Sequence, residues 1–365
     1  MKDDVLIVGA GIMGSAIARE LARAGCSVRV LEKSIPGAEA SSVAAGILAP
    51  DVEHDEGPLH ALGCASREAY ASLADVLREE TGIDVGFVRS GVMKVATDES
   101  ELARLSSPRG ASAETLDGAR ARELEPALSD IVRGALLLPD EAQVDPPRVL
   151  SALVRSAERA GARFTSGAAV RGLSRVGDRI VGVETDQGIV HAAHVVLAAG
   201  AWTSLVPGLP RVLATAVRPV RGQLVRASLR APITKRIVFA DHVYLVPRND
   251  GRVICGATME EAGFAKEVTL GAIATLASQA VRIVPELSGA RFTDADVSFR
   301  PASIDGLPLI GPSGLPGLWL ATGHFRNGIL LAPATATMIA SSIMGRAEIH
   351  DARPFDPRRL GGSAS

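Results

Sequence analysis

The sequence predicts an α/β protein: a Rossmann-like dinucleotide-binding domain joined to a second, β-rich domain of antiparallel strands flanked by helices. Three observations carry that expectation. A strand–turn–helix–strand unit with a glycine-rich turn fills the first 32 residues, a block of strands spans 213 to 300, and 365 residues exceed what one compact core supports.

The first element is "VLIVG", residues 5 to 9, a continuous apolar run of the kind found in strands covered on both faces. A helix is predicted from Ile12 to Ala24, closed by Gly25, and a second strand, "SVRVLE", ends at Glu32. Between strand and helix lies "GAGIMG", residues 9 to 14. The Gly-x-Gly-x-x-Gly spacing is weak alone, but here it follows a strand, opens a helix and precedes an acidic residue at the end of the next strand. Gly9 permits the tight turn, Gly11 lets backbone approach a pyrophosphate, and Gly14 permits close helix–strand contact. The helix N-terminus supplies amide donors for phosphate, and Glu32 suits a ribose. A βαβ unit without a ligand is the bland alternative, and this context weighs against it.

A helix is expected over 57–82, then a strand near 86–97, short Arg/Glu-rich helices, and a strand pair around "GALLLPDEAQVDP". A helix from about 147 to 160 precedes strands that end in "HVVLAAG", which reads as a central parallel strand. In the β-rich block, "VYLVPRNDGRVICGAT" reads as a hairpin around Asn-Asp-Gly, and a helix near 268–283 interrupts the strands. Strands at "PLIG" and "GLWLATG" precede a last helix, and the tail after about 350 is expected to be loose. The uncharged run between Arg326 and Arg346 is long enough for a membrane span, but Asn327, Pro333, threonines and serines weaken insertion, so a buried helix is expected.

Composition narrows the function classes. The chain is 47% hydrophobic and 22% charged with a net charge of −2, and its basic residues form no block, which gives no footing for nucleic acid. Cys26, Cys64 and Cys255 are scattered and odd in number, which suggests buried thiols rather than disulfides or a metal cluster. The start has no signal-peptide pattern, and a cytoplasmic location is expected.

Several stretches together go further: "SSVAAGILAP" at 41–50, "VVLAAGAWT", "VYLVPRNDGRVICGATM", "RPASIDGLPLIG" and "TGHFRNGILLAPATA". With the N-terminal unit they make nearly the whole chain similar to the FAD-dependent D-amino acid oxidase superfamily, and within it the bacterial glycine oxidases. That resemblance implies a D-amino acid oxidase type of fold, with an FAD-binding domain assembled from 1–85, 146–212 and 299–365 and a substrate-binding domain from 86–145 and 213–298.

It also implies site residues. Gly9, Ala10, Gly11, Ile12, Met13, Gly14, Glu32 and Lys33 would hold the adenine end of FAD, with Val170 near the adenine. Ser41, Ser42, Gly46, Ile47 and Leu48 would line the pyrophosphate and flavin, and Ala199, Gly200 and Trp202 the ribityl side. Arg300 and His324, Phe325, Arg326, Asn327, Gly328 and Ile329 would face the flavin carbonyl edge. Arg300 and Tyr244 would fix the substrate carboxylate, Arg326 would be a second pocket arginine, His242 and Met259 would flank the site, and Ile47 and Leu48 would set its size. Taken singly, each of these has a structural reading, as an ion pair, a core filler or a packing tyrosine. No cysteine stands near "RPASIDGLPLIG", so the flavin is expected to be non-covalent.

The implied activity is oxidative deamination of glycine or a similar small amino acid, with oxygen as acceptor and peroxide as product, serving thiazole formation for thiamine. Oxidation of D-amino acids, sarcosine or proline with another acceptor is the alternative, and a dinucleotide-binding sensor without turnover is a third reading from another class. Small amino acids and molecular oxygen are the expected partners, without stable membrane insertion, and a homo-oligomer is in keeping with the family.

Overall fold

The computed structural model describes residues 3–53, 56–105 and 112–361. Its first sheet runs in the order Leu309–Pro312, Leu318–Thr322, Gly188–Leu197, Asp3–Val8, Val28–Leu31 and Arg163–Thr165. The inner pairings are parallel, and a hairpin of Val170–Val176 and Arg179–Thr185 extends the Gly188–Leu197 strand. The predicted "HVVLAAG" strand is therefore central, and its apolar run follows from cover on both faces. Helices Ile12–Arg23, Pro58–Thr81, Pro146–Arg159 and Gly328–Met344 pack on one another over one face of this sheet.

Phe325–Met344 is the single helical stretch, among the described residues, long and apolar enough to cross a membrane. Its side chains are instead largely spent on the core: Leu331 and Ile339 are fully buried, and the Tyr70 and Ser66 hydroxyls donate to the carbonyls of Ile329 and Leu330. Those carbonyls belong to the turn from which Pro333 withholds its amide.

The second sheet has the order Arg291–Ser303, Val217–Ser228, Arg252–Gly256, Tyr244–Pro247, Ile237–Phe239, Val92–Ala96, Gly134–Leu138 and Glu114–Asp117. All its pairings are antiparallel except Ile237–Phe239 with Val92–Ala96. The strand Arg291–Ser303 stays in this sheet through residue 303. Helix Leu270–Ile283 packs on the strands Val217–Ser228 and Arg252–Gly256 of this sheet.

Two expectations change. The strands in "GALLLPDEAQVDP" do not pair with each other: Gly134–Leu138 joins the second sheet, whereas Ala142–Gln143 pairs with Ile47–Leu48. The buried Glu141 between them accepts from Asp51 and Arg67 and pulls the second strand toward the first sheet's helices. The segment after 350 is not loose as far as residue 361. Phe355 is buried in the main core and Arg359 pairs with Asp305. One aromatic anchor outweighs a polar, proline-containing composition.

Candidate functional site

A cavity of about 440 Å³ lies where the C-terminal ends of the first sheet's parallel strands meet one face of the second sheet. Its walls come from the glycine-rich turn, residues 39–49, the segment 198–206, strands of the second sheet and the loop 324–329.

The turn behaves as the sequence predicts. Gly9 has φ +103°, and a β-carbon there would lie 2.7 Å from the Ala198 carbonyl oxygen. At Gly14 a β-carbon would fall 1.9 Å from the Gly9 carbonyl oxygen, so helix and turn can approach only through glycine. Gly11, Ile12 and Met13 face the cavity, while Ala10 and Gly14 are buried behind it. Ser41 reaches across to accept from the Ile12 amide (2.9 Å), so a hydroxyl already sits on the helix N-terminus. Glu32 faces the cavity and accepts from the amides of Ala10 (2.9 Å) and Ser34 (3.0 Å). Each carboxylate oxygen has a second acceptor site, so capacity for a ligand hydroxyl remains.

The loop 41–47 is held from the second sheet by two arginines that sequence reasoning missed. Arg226 donates to the carbonyls of Ser42 and Val43 (3.4 and 3.3 Å). Arg248 is buried and donates to the Ala45 carbonyl (2.6 Å) and to Gln143 (2.5 Å). Burial pushes its guanidinium down to about 10, opposed by Asp145, so it stays charged at neutral pH. Beside Asn-Asp-Gly it reads as a solvent-facing turn residue, and only the tertiary fold shows otherwise. Gly46 (φ +78°) and Ile47 face the cavity, whereas Ser42 lies outside its lining and Leu48 is fully buried in the core. Leu48 points away because its strand partner Ala142 turns that face inward.

Val170, Ala199, Gly200 and Trp202 also line the cavity. Trp202 stacks on Phe264 (centroids 4.6 Å apart), and the Lys33 ammonium lies 3.3 Å from its ring. Lys33 also pairs with Glu39, which Lys266 reaches from the second sheet's side at 2.8 Å.

Arg300, Tyr244, Ser298 and Leu224 project from one face of the second sheet into the same space. Ser298 was not anticipated. Its Oγ is buried and has no hydrogen-bond partner among the described residues, which marks it as a group for a ligand to satisfy. His242 and Met259 do not join the lining: both side chains are exposed, and His242 lies 3.5 Å from Asp241. They sit outside regular strands, where sequence proximity to Tyr244 and Gly256 does not translate into facing the cavity.

The loop after Gly323 closes the cavity. Phe325 holds a left-handed φ of +48°, a strain of about 1 kcal/mol for a residue with a β-carbon. Arg326, Asn327, Gly328 and Ile329 line the wall, with Arg326 exposed to solvent. His324 is different from the sequence expectation of a potential cation. It is buried, its Nε2 lies 3.0 Å from Thr335 Oγ1, and burial pushes it down to about 3. A neutral imidazole is therefore the working form, because no carboxylate among the described residues compensates the desolvation.

A pH dependence follows. A histidine depressed on folding contributes stability above its unfolded value near 6.5 and loses it as pH falls toward 3. The His324→Gln substitution removes this titration, so its destabilisation at pH 7.5 shrinks by about 2 kcal/mol at pH 5. Urea unfolding of both proteins at the two pH values measures it, and an equal difference at both would contradict it.

Away from the cavity, Asp51, His60 and Cys64 bring ligand-type atoms within 4.8 Å of one another. Arg67 donates to Asp51 at 2.9 Å and to Glu141 at 2.8 Å, so the group is a charge-compensated hydrogen-bond cluster.

Comparison with known proteins places this architecture. Residues 4–342 match the family described as DAO, FAD dependent oxidoreductase. The chain is 38% identical over 353 residues to the "Bifunctional protein ThiO/ThiG" of Trichormus variabilis, covering 94% of this chain and 53% of that protein. It therefore spans about half the length of the bifunctional relatives it matches. It is 35% identical to the glycine oxidase of Pseudomonas aeruginosa, over 98% of this chain and 99% of that one. The crystal structure of glycine oxidase from Geobacillus kaustophilus superposes with a TM-score of 0.90 at 34% identity, covering 99% of this chain and all of the other.

Proposed function

The chain belongs to the DAO family of FAD-dependent oxidoreductases, and from that premise we propose that it oxidises glycine or a similar small amino acid to the 2-oxo acid, ammonia and hydrogen peroxide. One observation carries the reading: an arginine and a tyrosine, Arg300 and Tyr244, share a sheet face and a cavity with a dinucleotide-type glycine turn.

The residues present fit FAD held without a covalent bond. At Gly11 a β-carbon would stand in the cavity wall, 3.1 Å from Ser41 Oγ, and the buried Ser298 hydroxyl has no hydrogen-bond partner among the described residues. Gly11, Ile12, Glu32 and Ser41 would hold the phosphates and ribose, and the 324–329 loop would face the flavin. When bound, the FAD supplies the electron sink for the amino acid and passes the electrons to oxygen.

Arg300 fixes the substrate carboxylate through a planar fork, and Tyr244 donates to the same group. Together they orient the Cα–H bond, which converts binding energy into alignment. Arg300 and Arg326 disfavour an ammonium group beside them, so the amine is bound neutral and a dedicated general base is unnecessary. The neutral His324 adds no charge to the wall. The division into an FAD-binding part (1–85, 146–212, 299–365) and a substrate-binding part (86–145, 213–298), a homo-oligomeric state, a cytoplasmic location and service to thiamine synthesis belong to the same reading.

Anaerobic glycine is expected to bleach the flavin absorbance of the purified protein, and readmitted oxygen to restore it with release of peroxide. A flavin that stays oxidised with glycine, sarcosine and D-alanine alike defeats the proposal. Reduction without peroxide, but with turnover of an artificial dye, favours a dehydrogenase instead.

A further inference from the structure

Two glycines in the second sheet, Gly222 and Gly256, stand where a side chain would collide with the groups assigned to the carboxylate. Neither has a positive φ, the usual reason for a glycine. A glycine inside a strand weakens it, and its presence there points to close approach by another group. At Gly222 a β-carbon would lie 2.2 Å from Nη1 and 2.5 Å from both Cζ and Nη2 of Arg300. At Gly256 it would lie 2.5 Å from Cζ and Oη of Tyr244. In both cases the nearest atoms are the far end of a side chain, not backbone.

The register explains the contacts. Tyr244 is directly opposite Gly256, so its ring lies across the bare backbone of its partner. Arg300 is opposite Val220, and Gly222 is opposite Ser298, so the guanidinium reaches back diagonally to cover Gly222. A second contact fixes its in-plane position: Arg300 Nη1 donates to the Thr258 carbonyl at 3.0 Å. Thr258 is itself pinned to the same strand. Its amide donates to the Gln223 carbonyl (3.1 Å), its Oγ1 accepts from the Gln223 amide (2.9 Å), and that hydroxyl donates to Glu260 (2.5 Å). Glu260 is held in turn by Arg221.

We propose that Gly222 is a positioning residue for substrate: its bare backbone is the floor on which the Arg300 guanidinium lies in one orientation, with Gly256 serving Tyr244 likewise. The role of Arg300 rests on the functional reading above. Holding the fork before substrate arrives removes the entropy loss of ordering a long side chain at binding. A methyl group at 222 lifts the guanidinium from its seat while leaving the strand backbone acceptable to any L-residue.

The Gly222→Ala holoenzyme tests this. Hydroxyacetate, which keeps the carboxylate of glycine and replaces its amine, is titrated against the flavin spectrum. Its Kd is expected to rise about tenfold or more, in line with losing an aligned charge-assisted pair. KM for glycine rises with it, while flavin content and the thermal midpoint stay at the wild-type values. In an Arg300→Ala background the same substitution is expected to cause no further loss, because its effect runs through that side chain. An unchanged Kd, or an equal loss without Arg300, overturns the proposal. If the wild-type flavin answers to no amino acid or carboxylate, the functional reading has failed, and the crystal structure of Gly222→Ala decides the geometric claim. A guanidinium still on the Thr258 carbonyl refutes it, and a displaced one supports it. Should Gly222→Ala not fold, combining it with Arg300→Lys removes the clash and restores folding, and a double variant that still fails to fold also refutes it.

Discussion

Replacing Arg300 by alanine lowers kcat/KM for the amino acid substrate by roughly 30- to 5000-fold, the equivalent of about 2–5 kcal/mol for truncating one partner of a desolvated charge pair. The flavin is expected to remain bound, because on the proposed reading the glycine-rich turn and the 324–329 loop, which line the cavity apart from Arg300, would hold it. Lysine at 300 is expected to recover only part of the loss. It restores the charge but neither the fork nor the bond to the Thr258 carbonyl, 3.0 Å away in the native protein. Steady-state kinetics with glycine, together with the flavin-to-protein ratio, checks both statements. An alanine variant with near-native kcat/KM would remove Arg300 from the carboxylate site.

Gly14→Ala acts earlier, on the fold itself. The added β-carbon would sit 1.9 Å from the Gly9 carbonyl oxygen and 3.3 Å from an Ile7 methyl, in a region where Ile7 and Ile17 are fully buried. Backbone cannot step aside as a guanidinium can, so the helix Ile12–Arg23 must shift from the Asp3–Val8 strand at a cost of about 3 kcal/mol or more. The expected product is a colourless, poorly soluble protein whose thermal midpoint falls by several degrees, at about 1–2 °C per kcal/mol for a chain of this size. Absorbance at the flavin band and a melting curve read it directly. A yellow variant of native stability would mean that the turn relaxes and that Gly14 is not needed for close packing. Gly14 and Gly222 thus make opposite predictions, one losing the fold and the other losing substrate, because one opposes backbone and the other a mobile side chain.

Much of the site was readable in the chain. The turn Gly9–Gly14, the central strand ending at Leu197, the Tyr244 hairpin and the loop after Gly323 all carry local signals: apolar runs, glycine spacing and turn residues. Placement of single side chains was less readable. Leu48 and Ser42 stand next to residues that do line the cavity, and a one-residue step along a strand or short helix turns a side chain to the other face. His242 and Met259 fall outside it for a similar reason: they follow or precede strands instead of lying in register with Arg300.

By itself the amino-acid order determined the glycine cradle, the alternation of strands and helices, and which cationic and phenolic groups were available for an acid-bearing substrate. Those are properties of neighbours within a few residues. Only the tertiary structure decided that His324 is neutral, that Arg248 is buried beneath the Ala45 carbonyl, and that Arg300 rests on Gly222. Each depends on groups brought together from distant parts of the chain, and both desolvation and steric contact are set by what surrounds a side chain in space.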